Sequence, residues 1–99
     1  MELGRWTVSV YVDDMYTTPM GQFGRMKMSH MLADSTEELL AMADTIGLSR
    51  RWIQNAGTPT EHFDVSMGKR KLAIEAGAVE ITMAETGRMV ASRRGGSHE

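Results

Sequence analysis

The segment His62-Phe63-Asp64-Val65-Ser66-Met67-Gly68-Lys69-Arg70-Lys71 gathers a histidine, a carboxylate, a small hydroxyl and three basic residues within ten positions. If it runs from strand into helix, alternation puts His62 and Asp64 on one face and Phe63 and Val65 on the other. Ser66 then stands as the N-cap. The first free backbone N–H groups, Lys69 and Arg70 would converge on one phosphate or carboxylate. The chemistry expected there is binding of an anionic ligand, a nucleotide among the candidates, with His62 and His30 orienting it or transferring protons. No catalytic residue is identified by spacing alone.

Three further groups carry chemistry. Asp13-Asp14 closes the first expected strand, where ligands of α/β folds gather, and two carboxylates there suit Mg2+ completed by water and phosphate oxygens. Adjacent strand residues point apart, so the plainer expectation is a pair of acids opening a solvated loop. His30, His62, Asp13, Asp34 and Asp64 contain ligand chemistry but no tight H-x3-H spacing, so no tightly held metal is expected. Arg51 beside Trp52 suits stacking on an organic ring and pairing with phosphate, or a core tryptophan with a solvated arginine rim.

The elements that must position these residues follow from periodicity. Trp6–Val12 alternates with β-branched residues and reads as a strand; Met15–Gly24 has loop composition and reads as mobile. A strand over Arg25–Leu32 places Met26, Met28, His30 and Leu32 on one face, with Lys27, Ser29 and Met31 on the other. Ser35 and Glu38 form a capping box for a helix whose apolar stripe is Leu39, Leu40, Met42, Ala43 and Ile46 and which ends at Gly47. Ser49–Gln54 is assigned to a strand, Asn55–Thr60 to a turn-rich loop, and His62–Val65 to a short strand. A helix from Met67 to Ala76 is expected to bury Leu72, Ala73 and Ala76. Val79–Ile81 reads as a last strand, and Thr82 with Glu85 caps a final helix through Met89 and Val90. Arg93–Glu99 lacks apolar periodicity and reads as frayed.

The sequence is 99 residues long, enough for one core, and its boundaries are read as one domain over 1–94 with a tail over 95–99. The fold class expected is α/β, or the related α+β, with three to five short strands covered by two or three helices. A net charge of −2 argues against a dedicated double-helix binder, and a helix-turn-helix over Lys71–Met89 ranks low because its second helix offers few bases. No cysteine occurs, which excludes disulfides and thiolate chemistry and fits a reducing compartment. Without a leader-like or spanning apolar run, the expectation is a cytoplasmic protein with no membrane partner. The ten methionines suit a pliable core.

Val10-Tyr11-Val12-Asp13-Asp14, Gly24-Arg25-Met26, His30-Met31-Leu32-Ala33-Asp34, Arg50-Arg51-Trp52-Ile53-Gln54, His62-Phe63-Asp64-Val65-Ser66, Lys69-Arg70 and Ala73–Ile81 together carry a resemblance. The chain resembles, over about residues 8 to 82, a family of short bacterial and phage proteins catalogued only as a domain of unknown function. The resemblance implies a cytoplasmic bacterial or phage protein and brings no activity. The residues themselves give the leading expectation: an anionic small molecule or nucleotide bound by Asp13, His30, Arg51, Trp52, His62, Asp64, Ser66, Lys69 and Arg70, with no cofactor. The alternative is a metal-dependent phosphoesterase or nuclease using Asp13, Asp14 and Asp64 with His30 and His62, for which Mg2+ is the cofactor expected. A nucleic-acid or protein interaction module is the third class.

Overall fold

The structure is a computed structural model and describes residues 9–96. The elements are β1 (Val10–Val12), β2 (Gln22–Phe23), β3 (Met26–Ala33), α1 (Thr36–Ile46), β4 (Phe63–Ser66), α2 (Met67–Glu75), β5 (Val79–Glu80) and α3 (Met83–Gly96). They form an α/β fold built on one mixed sheet of five short strands. β3 is its hub: it pairs antiparallel with β1, β2 and β4, while β5 lies parallel to β1 on the far side.

The sheet has two unlike faces. Val10 and Val12 of β1, Met31 and Ala33 of β3, and Phe63 and Val65 of β4 all point to one side. There they pack with Leu39, Met42, Ala43 and Ile46 of α1 and Ala73 of α2 as the hydrophobic core. The opposite face carries Met26, Met28, His30 and Leu32 on β3 beside Asp64 and Ser66 of β4, because Met28 pairs with Ser66 and His30 with Asp64. α3 crosses this second face at the Leu32 end, where Thr86 and Val90 line a cavity with His30 and His62.

Local chemistry explains the helix boundaries. Ser35 Oγ accepts the Glu38 N–H and donates to the Glu38 carboxylate, and Gly47 ends α1 in the left-handed conformation at φ 76°. Thr82 and Glu85 form a reciprocal capping box for α3. Asp14 accepts the Met83 N–H at 2.8 Å, which adds a carboxylate at the positive end of that helix.

Several expectations are corrected. Of the strand expected over Trp6–Val12, Val10–Val12 is strand, and Trp6–Val8 lie outside the described residues. Met15–Gly24 is not irregular: it holds two 3-10 turns, Met15–Thr17 and Pro19–Gly21, then β2. Gly21 permits this, because a Cβ there would strike the Met15 carbonyl and lie 2.7 Å from the Met28 carbonyl oxygen. Arg50–Trp52 is a 3-10 turn rather than a strand, started by Ser49, and Gln54 alone pairs, with His62. Leu72 is exposed, since α2 turns Arg70 and Ala73 inward instead. β5 separates α2 from α3, which removes the helix-turn-helix reading. α3 runs on to Gly96, held by Arg93, whose guanidinium donates to the Ala33 and Pro59 carbonyls.

Candidate functional site

His30, His62 and Asp64 meet on the second face of the sheet. One ligand atom from each lies within 4.8 Å of the others. His30 and Asp64 are cross-strand partners, and His62 joins them from the residue before β4, two places from Asp64. The imidazoles sit edge to face with centroids 5.1 Å apart. All three side chains are half-buried, with Asp64 the most accessible of them at 38%.

The residues behind the cluster decide how its nitrogens are presented. Asp13 is fully buried. Its Oδ1 accepts the backbone N–H groups of His30 and Met15, and its Oδ2 receives the Thr86 hydroxyl and lies 2.7 Å from His30 Nδ1. Burial pushes the Asp13 carboxyl up, but the hydrogen bonds from the His30 ring and from the His30 and Met15 backbone outweigh it. The group is held below the usual carboxylate range. An ionised carboxylate only accepts, so His30 Nδ1 carries the proton. His62 Nδ1 lies 2.7 Å from the Thr60 carbonyl oxygen, which likewise accepts, so it too is the protonated nitrogen. In their neutral forms both imidazoles therefore present an unprotonated Nε2.

His62 Nε2 lies 3.3 Å from Asp64 Oδ1. That contact raises the His62 pKa and, with the Gln54 amide donating to Asp64 Oδ2 at 2.7 Å, lowers that of Asp64.

The other residues expected to bind lie apart from the three, and Arg70, Lys69 and Ser66 hold neighbouring elements together. Arg70 is buried: its Nε donates to the Asp13 carbonyl at 3.0 Å, a second nitrogen pairs with Glu80, and the guanidinium lies 4.7 Å from the centre of the Tyr16 ring. Lys69 Nζ reaches the carbonyls of Ile46 and Gly47 at the end of α1, a favoured place for a cation. Ser66 caps α2 by accepting the Lys69 N–H. Arg51 and Trp52 are exposed and stack on each other at 4.8 Å. Asp34 accepts the Tyr11 hydroxyl, outside the cluster. Asp13 does not open a solvated loop, and Asp14 caps α3, so the two acids do separate work.

Gln54, Thr60 and Thr86 belong to the site and went unidentified in the sequence. Gln54 and His62 are eight residues apart, and no periodic signal joins them; Thr86 lies 73 residues from the carboxylate it bonds.

The model of the family described as "Protein of unknown function (DUF4031)" matches residues 10–93, and the chain belongs to that family. No curated protein and no solved structure matches it. Among the described residues, no helix is long and apolar enough to cross a membrane.

Proposed function

We propose that this member of the DUF4031 family is a metal-dependent phosphoesterase in which His30 Nε2, His62 Nε2 and an Asp64 oxygen hold one divalent cation. The observation that carries the reading is that each imidazole has its Nδ1 2.7 Å from an oxygen, Asp13 Oδ2 for His30 and the Thr60 carbonyl for His62, while both rings and Asp64 converge. The Asp13 carboxylate and the Thr60 carbonyl accept from the two Nδ1–H groups, the arrangement by which carboxylates and backbone carbonyls orient metal-binding histidines. Two nitrogens and one carboxylate suit Zn2+, Mn2+ or Fe2+ better than Mg2+, which prefers all-oxygen surroundings.

Three protein ligands leave coordination positions for water and substrate, as in catalytic rather than structural sites. A cation there would polarise a phosphoester and activate water. In the hydrolysis, the water oxygen bonds to phosphorus as the bond to the leaving oxygen breaks. The proton lost by water ends on the departing alkoxide. Asp13 and Thr60 hold the imidazoles still, and Gln54 holds Asp64. The substrate remains anionic, as the sequence suggests, although Lys69 and Arg70 are committed elsewhere. A cysteine-free member of this family with such a site fits the cytoplasm of a bacterium or of a phage-infected cell.

Hydrolysis of bis(p-nitrophenyl) phosphate tests the reading. Metal-stripped protein should be inactive, Zn2+ or Mn2+ should restore turnover, and Asp64→Asn should lower it at least a hundredfold while melting near wild type. Turnover unaffected by EDTA, or none with any of these metals, would overturn it.

A further inference from the structure

The cluster has a cavity on either side of it. Along the second face of β3 the order is Leu32, His30, Met28, each about 7 Å from the next. At the Leu32 end a cavity of ≈ 210 Å³ lies against His30 and His62, walled by Leu32, Val90, Thr60 and Thr86. At the Met28 end a separate cavity, of ≈ 190 Å³, lies against Asp64 and is walled chiefly by Met28, Met15, Met20 and Phe23. The two have no wall in common. The three ligand groups, within 4.8 Å of one another, stand between them.

Size and lining restrict what each cavity takes. An apolar cavity of about 150 Å³ holds one benzene molecule, so each of these has room for a single six-membered ring. Among the described residues, no lysine or arginine lines either one. At the Met28 end, Met20 is 72% exposed and Phe23 73%. Thioethers and a phenyl ring make favourable contacts with a flat aromatic face, so an aryl group there would cover apolar surface that the fold leaves in water.

Charge restricts the group at the centre. A divalent cation on His30, His62 and Asp64 would meet the Asp64 carboxylate directly and the Asp13 carboxylate behind His30, and both acids are held below the usual carboxylate range. Those two negative charges already match the ion. A phosphomonoester would add about 1.5 to 2 negative charges at neutral pH, with no lysine or arginine beside either cavity to answer the second. A diester adds one. It also offers a substituent to each cavity, where a monoester fills one and leaves the other. We infer that the site takes phosphodiesters with two ring-sized apolar ester groups, the phosphoryl group on the ion and one ring in each cavity, Phe23 and Val90 setting the specificity. This rests on the metal-site reading and names its substrate class.

Calorimetric titration of diphenyl phosphate and of phenyl phosphate into Zn2+-loaded protein at neutral pH tests the inference. Diphenyl phosphate should bind at least tenfold more tightly. Val90→Phe, which fills one cavity, and Phe23→Ala, which removes a wall of the other, should each weaken its binding at least fivefold with Zn2+ uptake unchanged. Phe23 is exposed, so its variant keeps the fold and carries the test even where Val90→Phe is destabilised. No binding of diphenyl phosphate by Zn2+-loaded wild type, equal binding of phenyl phosphate, or folded variants that bind the diester as wild type does would overturn the inference and leave the metal site standing. A wild type that takes up no Zn2+ would overturn the site reading and this inference with it.

Discussion

At His62 a proton and a cation compete for one place. Its raised pKa comes first from Asp64, with burial opposing, and the charged or titratable groups facing it are Asp64, His30 and, behind them, Asp13. A group whose folded pKa is raised stabilises the fold in full below its unfolded value, about 6.5 for histidine, and loses that contribution as pH rises through the folded value. Asp64 and Asp13, both lowered, behave oppositely: their contributions hold above about pH 3.9 and vanish as pH falls through their folded values. In EDTA the melting temperature should therefore decline as pH rises from about 6.5, and His62→Gln should flatten that decline. With Zn2+ present the trend reverses, because the metal needs the nitrogen that the proton vacates. Melting curves in EDTA that rise through this range would remove the proton from His62.

Elements, more than residue types, separate the ligand histidines from the braces. The pairing of β3 with β4 sets His30 against Asp64, and α2 then carries Arg70 beneath the Asp13 carbonyl. Arg70→Ala removes a charged donor from a buried acceptor, a loss of about 1.5–3 kcal/mol. We expect that destabilisation by thermal or urea melts; a variant as stable as wild type would mean that Arg70 is not a brace. Much of this level was legible in the sequence. Ser35 with Glu38, Thr82 with Glu85 and the cap at Ser66 mark helix starts by chemistry confined to four residues, and alternation along β3 put His30 on the face where it lies. Arg70 was not legible: three basic residues after a cap look like an anion site, and only the return of β5 beside β1 brings Glu80 and the Asp13 carbonyl to them. Trp52 misled for a similar reason, since a 3-10 turn and a strand of three residues share the same composition.

For the whole molecule, the division of labour between the two sheet faces is the main result. One face is given to the core beneath α1 and α2. The other holds the cluster under the edge of α3 and leaves the β2–β3 hairpin open to solvent. Asp13 links these parts: its carboxylate fixes His30 and receives Thr86 of α3, while its carbonyl receives Arg70 of α2. A cation bound by His30 of β3, Asp64 of β4 and His62 just before it should stabilise the whole fold, by about 2.7 kcal/mol when free metal is a hundredfold above its dissociation constant.

The most direct measurement is calorimetric titration of Zn2+ into metal-stripped protein at neutral pH, with His62→Ala in parallel. The site described here predicts one ion bound per chain in wild type and at least a hundredfold weaker binding in a folded His62→Ala variant. No stoichiometric binding by wild type, or equal binding by both proteins, would contradict it.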